Sequence, residues 1–216
     1  MNTTSIKFGT DGWRAIIAKD FTVENLSRIA EATALWLLKN FKKPSVVLGH
    51  DTRFGGVLFA ETTAKVLCAH NIKVYLAKNF VSTPMVSLGT LKLNCNLGIV
   101  ITASHNPPSY NGYKLKGAFG GPLQPEKIEE VAKLIPTVCS VAFEKFEIQD
   151  LVEKGQLEYI DLETLYCRHI EANFDLDVIR RSGLRLGYDA MFGAGQNVIQ
   201  RLLPDTALLH CEHNPS

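Results

Sequence analysis

Apolar positions along the chain fall into two rhythms. Short unbroken runs, Ser45–Gly49 (SVVLG), Ile72–Ala77 (IKVYLA) and Leu97–Ile101 (LGIVI), predict buried strands. Longer stretches repeat at helical spacing. Thr22–Asn40 predicts a helix: Thr22 caps it, Glu24 suits its positive end, and Leu26, Ile29, Ala30, Thr33 and Leu37 share a face with Val23. Trp36, Leu38 and Phe41 add enough apolar surface to predict that this helix is well buried. A second helix is expected over Val57–His70, with Val57, Ala60, Ala64, Leu67 and Cys68 inward. Pro84 and Pro125 suit the first turns of two more, Met85–Leu91 and Gln124–Ile135. A strand near Trp13–Ala18 precedes the first helix, and Gly112–Lys116 alternates as a hairpin partner would. Strands alternating with helices argue for βαβ units and a largely parallel sheet.

Thr137–Ile160 is weakly patterned and reads as the edge of a first domain, which places the division between 1–157 and 158–216. Beyond it, Asp161 and Asp175 cap two helices, Leu184–Tyr188 reads as a strand, and Asp189–Gly195 (DAMFGAG) as a glycine-rich turn into a helix over Gln196–Leu203. The expected fold is therefore α/β: a three-layer αβα domain with a mixed, mostly parallel sheet, followed by an incomplete second α/β domain. That incompleteness predicts uncovered apolar surface on Val198, Ile199, Leu202 and Leu203.

Charge narrows the partners. The chain has 216 residues, with 23 basic against 22 acidic side chains. No basic excess points to nucleic acid and no polybasic run to a membrane surface. No apolar segment approaches the roughly 18 residues of a membrane span, and the N-terminus lacks a signal-peptide core. Five cysteines, odd in number and without a C-x-x-C, read as reduced thiols of a cytoplasmic protein. Oligomeric state leaves no trace in the sequence.

The chemistry concentrates in Thr102–Lys114 (TASHNPPSYNGYK). Pro107 and Pro108 lack N–H donors and Asn111-Gly112 reads as a turn pair. A hydroxyl, an imidazole, an amide and a lysine thus share a constrained loop at a strand's C-terminal end, where open α/β sheets place ligands. Two further stretches could join it. Gly9 and Gly12 bracket Thr10-Asp11 and release Arg14 into a strand, as a close approach to a ligand or, as such turns more often are, a surface hairpin with a solvated arginine. His50-Asp51-Thr52-Arg53 follows another strand, as a pair that holds its loop or as ligand contacts.

A serine hydrolase fits poorly. Adjacent side chains on extended backbone diverge, which would keep His105 from the Ser104 proton, and no G-x-S-x-G occurs. Phosphoryl transfer fits better: a serine on a tight loop can carry a phosphoryl group where cations and a metal stabilise the charge, and Lys114 and Arg14 are within plausible reach. A plain Asn/Pro turn before a hairpin is the alternative. Gly117–Leu123 lacks the G-K-[ST] of a P-loop, and His210-x-x-His213 with Cys211 has no matching half of a zinc site. Asp20, Glu24 and Glu31 read as a solvated helix face, Trp13 and Trp36 as core.

Thr102-Ala103-Ser104-His105-Asn106-Pro107 with Asn111-Gly112-Tyr113-Lys114 resembles the active-serine loop of the α-D-phosphohexomutases. Gly9–Arg14 resembles that family's G-T-x-G-x-R turn and His50–Arg53 its D-x-R loop. The resemblance implies an intramolecular phosphotransferase that moves phosphate between O1 and O6 of glucose or mannose through phosphorylated Ser104 and a bisphosphate intermediate. It implies catalytic roles for Ser104, Lys114, His105 and Arg14, substrate contacts for Asn106, Asp51 and Arg53, and Mg²⁺ at the phosphate of Ser104. A phosphosugar substrate and a glucose 1,6-bisphosphate-type activator follow from it too. Pro-Pro-Ser-Tyr-Asn-Gly-Tyr is more similar to the glucose/mannose branch than to the glucosamine branch. The family's D-G-D-x-D-R metal loop, G-E-x-S-G-H sugar loop and R-x-S-x-T-E-P phosphate loop do not occur here. The expectation is a fragment, inactive alone; a non-catalytic phosphosugar-binding or interaction module of the same fold is the other reading.

Overall fold

The computed structural model describes residues 6–9 and 12–214. Its main sheet has six strands: β1 (Trp13–Ile16), β2 (Ser45–His50), β3 (Lys73–Ala77), β4 (Leu97–Ile101), β5 (Tyr110–Gly117) and β6 (Leu157–Ile160). They lie in the order β1-β5-β4-β2-β3-β6. The β4-β2-β3-β6 side is parallel, while β5 runs antiparallel to both β4 and β1. β6 straddles the expected division at 157/158 as the outer parallel neighbour of β3.

Helices cover both faces. α1 (Val23–Asn40), α2 (Gly56–Ala69) and α4 (Pro125–Ala132) share the larger core cluster with Tyr113 and Leu115 of β5. α3 (Thr83–Lys92) and α6 (Leu162–Asn173) cover the other face, where Met85, Val86, Val100 and Leu162 pack together. A 3-10 turn (Phe143–Lys145) and α5 (Ile148–Glu153) fill the stretch that the sequence pattern left unassigned. The chain continues through α7 (Leu176–Arg180), β7 (Gly187–Asp189), α8 (Gln196–Leu202) and β8 (Ala207–Leu209), with β7 and β8 paired in parallel. Among the described residues no helix is long and apolar enough to cross a membrane. The five cysteines are free.

Local chemistry sets these boundaries. Thr22 accepts the Asn25 amide at 3.2 Å and starts α1; Asp161 accepts the Thr164 amide at 2.9 Å and starts α6. Trp13 and Trp36 are buried as expected, and the Trp36 indole N–H donates to Glu130.

Several expectations fail for identifiable reasons. Val57 is 58% exposed, because the first turn of α2 borders an open groove with Phe54 and Leu58; Phe59 turns inward instead, edge-on to Phe21. Leu38 is exposed on the outer side of α1. Leu202 is buried, and Val198 packs against the α3 side, since α8 lies on α6. Asn111 and Gly112 are not a turn but buried positions inside β5, so the reversal between β4 and β5 lies wholly within residues 102–109.

Glu31 is the clearest correction. It is buried, not solvated, and its carboxylate accepts the Ser140 amide at 2.8 Å and the Ser140 hydroxyl. His70 approaches it at 3.8 Å. Burial works to raise this carboxyl, but the Ser140 bonds, with Cys139 and His70, hold it below the ordinary value of 4.5. A lowered carboxyl stabilises the fold above its unfolded value, and that contribution disappears as pH falls through the folded value. Glu31→Gln is therefore expected to lose about 1–3 kcal/mol in urea unfolding near neutral pH. The difference from wild type should shrink below pH 4.5, where the native carboxyl takes up its proton.

Candidate active site

Strand order reverses at β2: α2 leads to β3 on one side, and α3 leads back to β4 on the other. The carboxyl ends of β2 and β4 therefore open a crevice between them. His50 pairs with Ile101, and the Asp51 amide donates to the Ile101 carbonyl at 3.1 Å. This register sets the loop after β2 against the loop after β4.

Asp51 links the two loops. Its Oδ2 accepts the Thr102 hydroxyl, and the Thr102 Oγ1 accepts the Ser104 amide at 3.0 Å. Asp51 Oδ1 accepts the Arg53 amide at 3.0 Å, and the Arg53 Nε lies 3.4 Å from Oδ2. Burial pushes the Asp51 carboxyl up, opposed by the Thr102 hydroxyl, the Arg53 amide and the Arg53 charge. The Arg53 guanidinium spans the serine loop. Nη1 donates to the carbonyls of Pro107 (2.8 Å) and Tyr110 (2.9 Å), Nη2 to those of Ser104 (2.9 Å) and Asn106 (2.6 Å).

Ser104 stands exposed at the loop's start with φ of 59°, in the left-handed region. The expected separation of Ser104 from His105 holds only for extended backbone. With Ser104 left-handed the two side chains converge, and Oγ lies 3.4 Å from His105 Nδ1. This pairing lacks the orienting acid of a hydrolase: the described contacts of the Asp51 carboxylate go to Thr102 and Arg53.

Arg14 reaches the loop from β1, donating to Asn106 Oδ1 at 3.2 Å. Two glycines permit this approach. A Cβ on Gly112 would lie 2.5 Å from the Thr102 carbonyl and 2.8 Å from that of Trp13, with the Arg14 side chain at 3.0 Å. Gly12, at φ of 101°, would place a Cβ 2.3 Å from the Tyr113 carbonyl. Thr10 and Asp11, the middle of that expected turn, lie outside the described residues.

Ser104, His105, Asn106, Asp51 and Arg53 line one cleft of about 530 Å³. Lys114 does not line it. Pleating sends Tyr113 toward α1, where its hydroxyl meets Thr33, and therefore sends Lys114 to the α3 face, where it is buried opposite Val100.

Sequence reasoning misses the far wall. Residues 190–194 line the cleft opposite the serine loop, and the Thr52 hydroxyl donates to the Phe192 carbonyl at 2.8 Å. Met191 and Phe192 both have positive φ, at which only the glycine-rich pattern of Asp189–Gly195 hints. The serine motif includes Thr102 but gives no sign of its link to Asp51. His210, half of the incomplete zinc pattern, pairs with Asp189 at 2.9 Å, and His213 stacks on Phe80.

Comparison with known proteins matches the chain to a family. Residues 5–140 fit the family model described as phosphoglucomutase/phosphomannomutase, alpha/beta/alpha domain I. A phosphoglucomutase of Staphylococcus saprophyticus is 35% identical over 165 residues, covering 73% of this chain and 29% of that protein. One from Staphylococcus haemolyticus is 31% identical over 228 residues, covering 99% and 41%. The chain thus spans less than half the length of these relatives. Among solved structures, a candidate phosphomannomutase from Thermus thermophilus superposes with a TM-score of 0.88 at 34% identity, over 99% of this chain and 47% of that one. The Paramecium phosphoprotein pp63/parafusin shares the fold, with a TM-score of 0.83 at 20% identity. The matched segment takes in β1 to β5 and the whole serine loop, and on that match the chain belongs to the phosphoglucomutase/phosphomannomutase family.

Proposed function

We propose that this chain carries the phosphoserine half of a hexose-phosphate mutase, with Ser104 as the residue that holds the phosphoryl group. The observation that carries the reading is the exposed Ser104 hydroxyl, fixed in left-handed backbone at the crevice of the sheet. A sugar hydroxyl attacks phosphorylated Ser104. The new P–O bond forms on the sugar, the bond to Oγ breaks, and the proton of the sugar hydroxyl passes through a protein group while Oγ is reprotonated. The resulting bisphosphate turns over and returns its other phosphate to Ser104, so phosphate moves between O1 and O6. The family resemblance favours glucose or mannose as the hexose.

In this reading His105, at 3.4 Å from Oγ, protonates the departing serine oxygen or hydrogen-bonds the phosphate. Arg14 and Asn106 are coupled at 3.2 Å and orient the phosphoryl oxygens. Lys114 is assigned to proton transfer on the resemblance. Mg²⁺, used in the family, would neutralise phosphate charge. The described residues do not fit a complete site for it: no group of three His, Cys, Asp or Glu could hold a metal, and the Asp51 carboxylate already serves Thr102 and Arg53. Only the phosphate on Ser104 would offer it oxygens, so no step is derived through the ion.

Two outcomes follow. Phosphopeptide mass spectrometry of the protein expressed from its own gene should place phosphate on the Ser104 peptide, and Ser104→Ala should lower mutase turnover about a thousandfold or more. Phosphate found only elsewhere, or near-wild-type activity in Ser104→Ala, would leave the non-catalytic binding module as the better reading. The 216-residue chain alone, supplied with glucose 1-phosphate and Mg²⁺, should give no steady turnover to glucose 6-phosphate. Sustained conversion would show that the metal carboxylates are not required.

A further inference from the structure

We propose that Arg53 is a positioning residue for the serine loop and not a ligand of the substrate. Its donors decide this. A guanidinium has five N–H donors in one plane and cannot be deprotonated in proteins. Four are directed at loop carbonyls, those of Ser104, Asn106, Pro107 and Tyr110, at 2.6 to 2.9 Å. The fifth, on Nε, lies 3.4 Å from Asp51 Oδ2 as an ion pair without hydrogen-bond geometry. No Nη N–H is left for a phosphate or a sugar hydroxyl, and Nε is turned to the Asp51 side. A substrate contact would have to break one of these bonds, and with it the conformation that presents Ser104.

The loop needs such a centre. Residues 102–109 reverse the chain with two prolines, and the side chains of Ser104, His105, Pro107, Pro108 and Ser109 are exposed, so the loop has little core of its own. Its own main-chain bonds include Asn106 N–H to the Ala103 carbonyl at 3.1 Å and Tyr110 N–H to the Pro107 carbonyl at 3.0 Å. Arg53 gathers the outward carbonyls at one cation, much as a metal would. It is itself aimed by Asp51, which also holds the Ser104 amide through Thr102. The Ser104 peptide units are thus gripped on both sides, at the amide through Thr102 and at the carbonyl through Arg53. A planar fork is required for this. Lysine offers three donors from a single point and cannot reach carbonyls spread over four residues.

The catalytic consequence rests on the mutase reading, but the structural content can be measured without any turnover. Hydrogen exchange in Arg53→Ala should rise at least about tenfold at the Asn106 and Tyr110 amides while Val100 and Leu115 in the strands keep wild-type protection. Arg53→Lys, which preserves charge, should fold and show the same loop-confined change. In the protein expressed from its own gene, Arg53→Ala should lower kcat about a hundredfold, with KM within about threefold, because a nucleophile displaced by about an ångström loses that much. Added methylguanidinium should restore part of kcat and of the loop protection. Unchanged exchange in both variants would overturn the proposal. So would a rise in KM of about tenfold at wild-type kcat, the signature of a lost substrate contact. If Ser104→Ala retains activity the mutase reading fails by itself, and the exchange experiment still decides the role of Arg53.

Discussion

An exposed serine on a loop that buries little of itself must be held by something other than packing. Here that is the Asp51–Arg53 pair, whose side chains are only 15% and 13% exposed. A guanidinium this sheltered is tolerable only if its donors find acceptors and its charge a counter-charge, and a carboxylate this sheltered only if its lone pairs are met. The loop carbonyls and the Thr102 hydroxyl meet those needs. The dependence runs both ways. The ion pair is satisfied by the loop's backbone, and the loop's backbone has its conformation because it satisfies the ion pair.

That arrangement exists because of sheet register. Asp51 and Thr102 are separated by 51 positions along the chain, yet each stands one residue beyond the end of a parallel pair in which His50 faces Ile101. A slip of one residue would turn the side chains of β4 to the wrong faces and separate the carboxylate from the hydroxyl. Register is in turn fixed by burial: Leu97 to Ile101 are buried on both sides, with Gly98 close against Thr90 of α3. β5 then returns antiparallel and carries Gly112 beneath Arg14, so the N-terminal strand reaches the loop as well. The site is assembled by three strand ends whose order the core enforces.

How far the sequence reveals this depends on the range of each interaction. Periodicity shows α1, α2, β2 and β4 because their burial repeats locally. Asp161 and Thr22 are legible as caps because a cap acts across three residues. Glu31 is misread because the partner that buries it, Ser140, lies 109 residues away and breaks no local pattern. Asn111-Gly112 is misread because a turn pair and a close-packed strand glycine have the same letters; the difference is the Trp13 carbonyl lying over Gly112. The Ser104–His105 contact is hidden by a single dihedral angle, which the Thr102 and Arg53 bonds impose. The serine loop, Arg14 and the Asp51–Arg53 stretch are visible as motifs, but the far wall at 190–194 and the division of labour are not.

For Arg53 that division follows from counting donors. Arg14 and Arg53 both look like phosphate ligands in a sequence, since each is an arginine beside a glycine-bearing turn in a motif. Among the described residues Arg14 donates to a side-chain amide, Asn106 Oδ1. Arg53 meets main chain, which cannot rotate away without changing the loop itself. A motif arginine is better assigned by what its N–H groups already hold than by the anion its charge would attract. On that criterion Arg53 belongs to the shape of the serine loop.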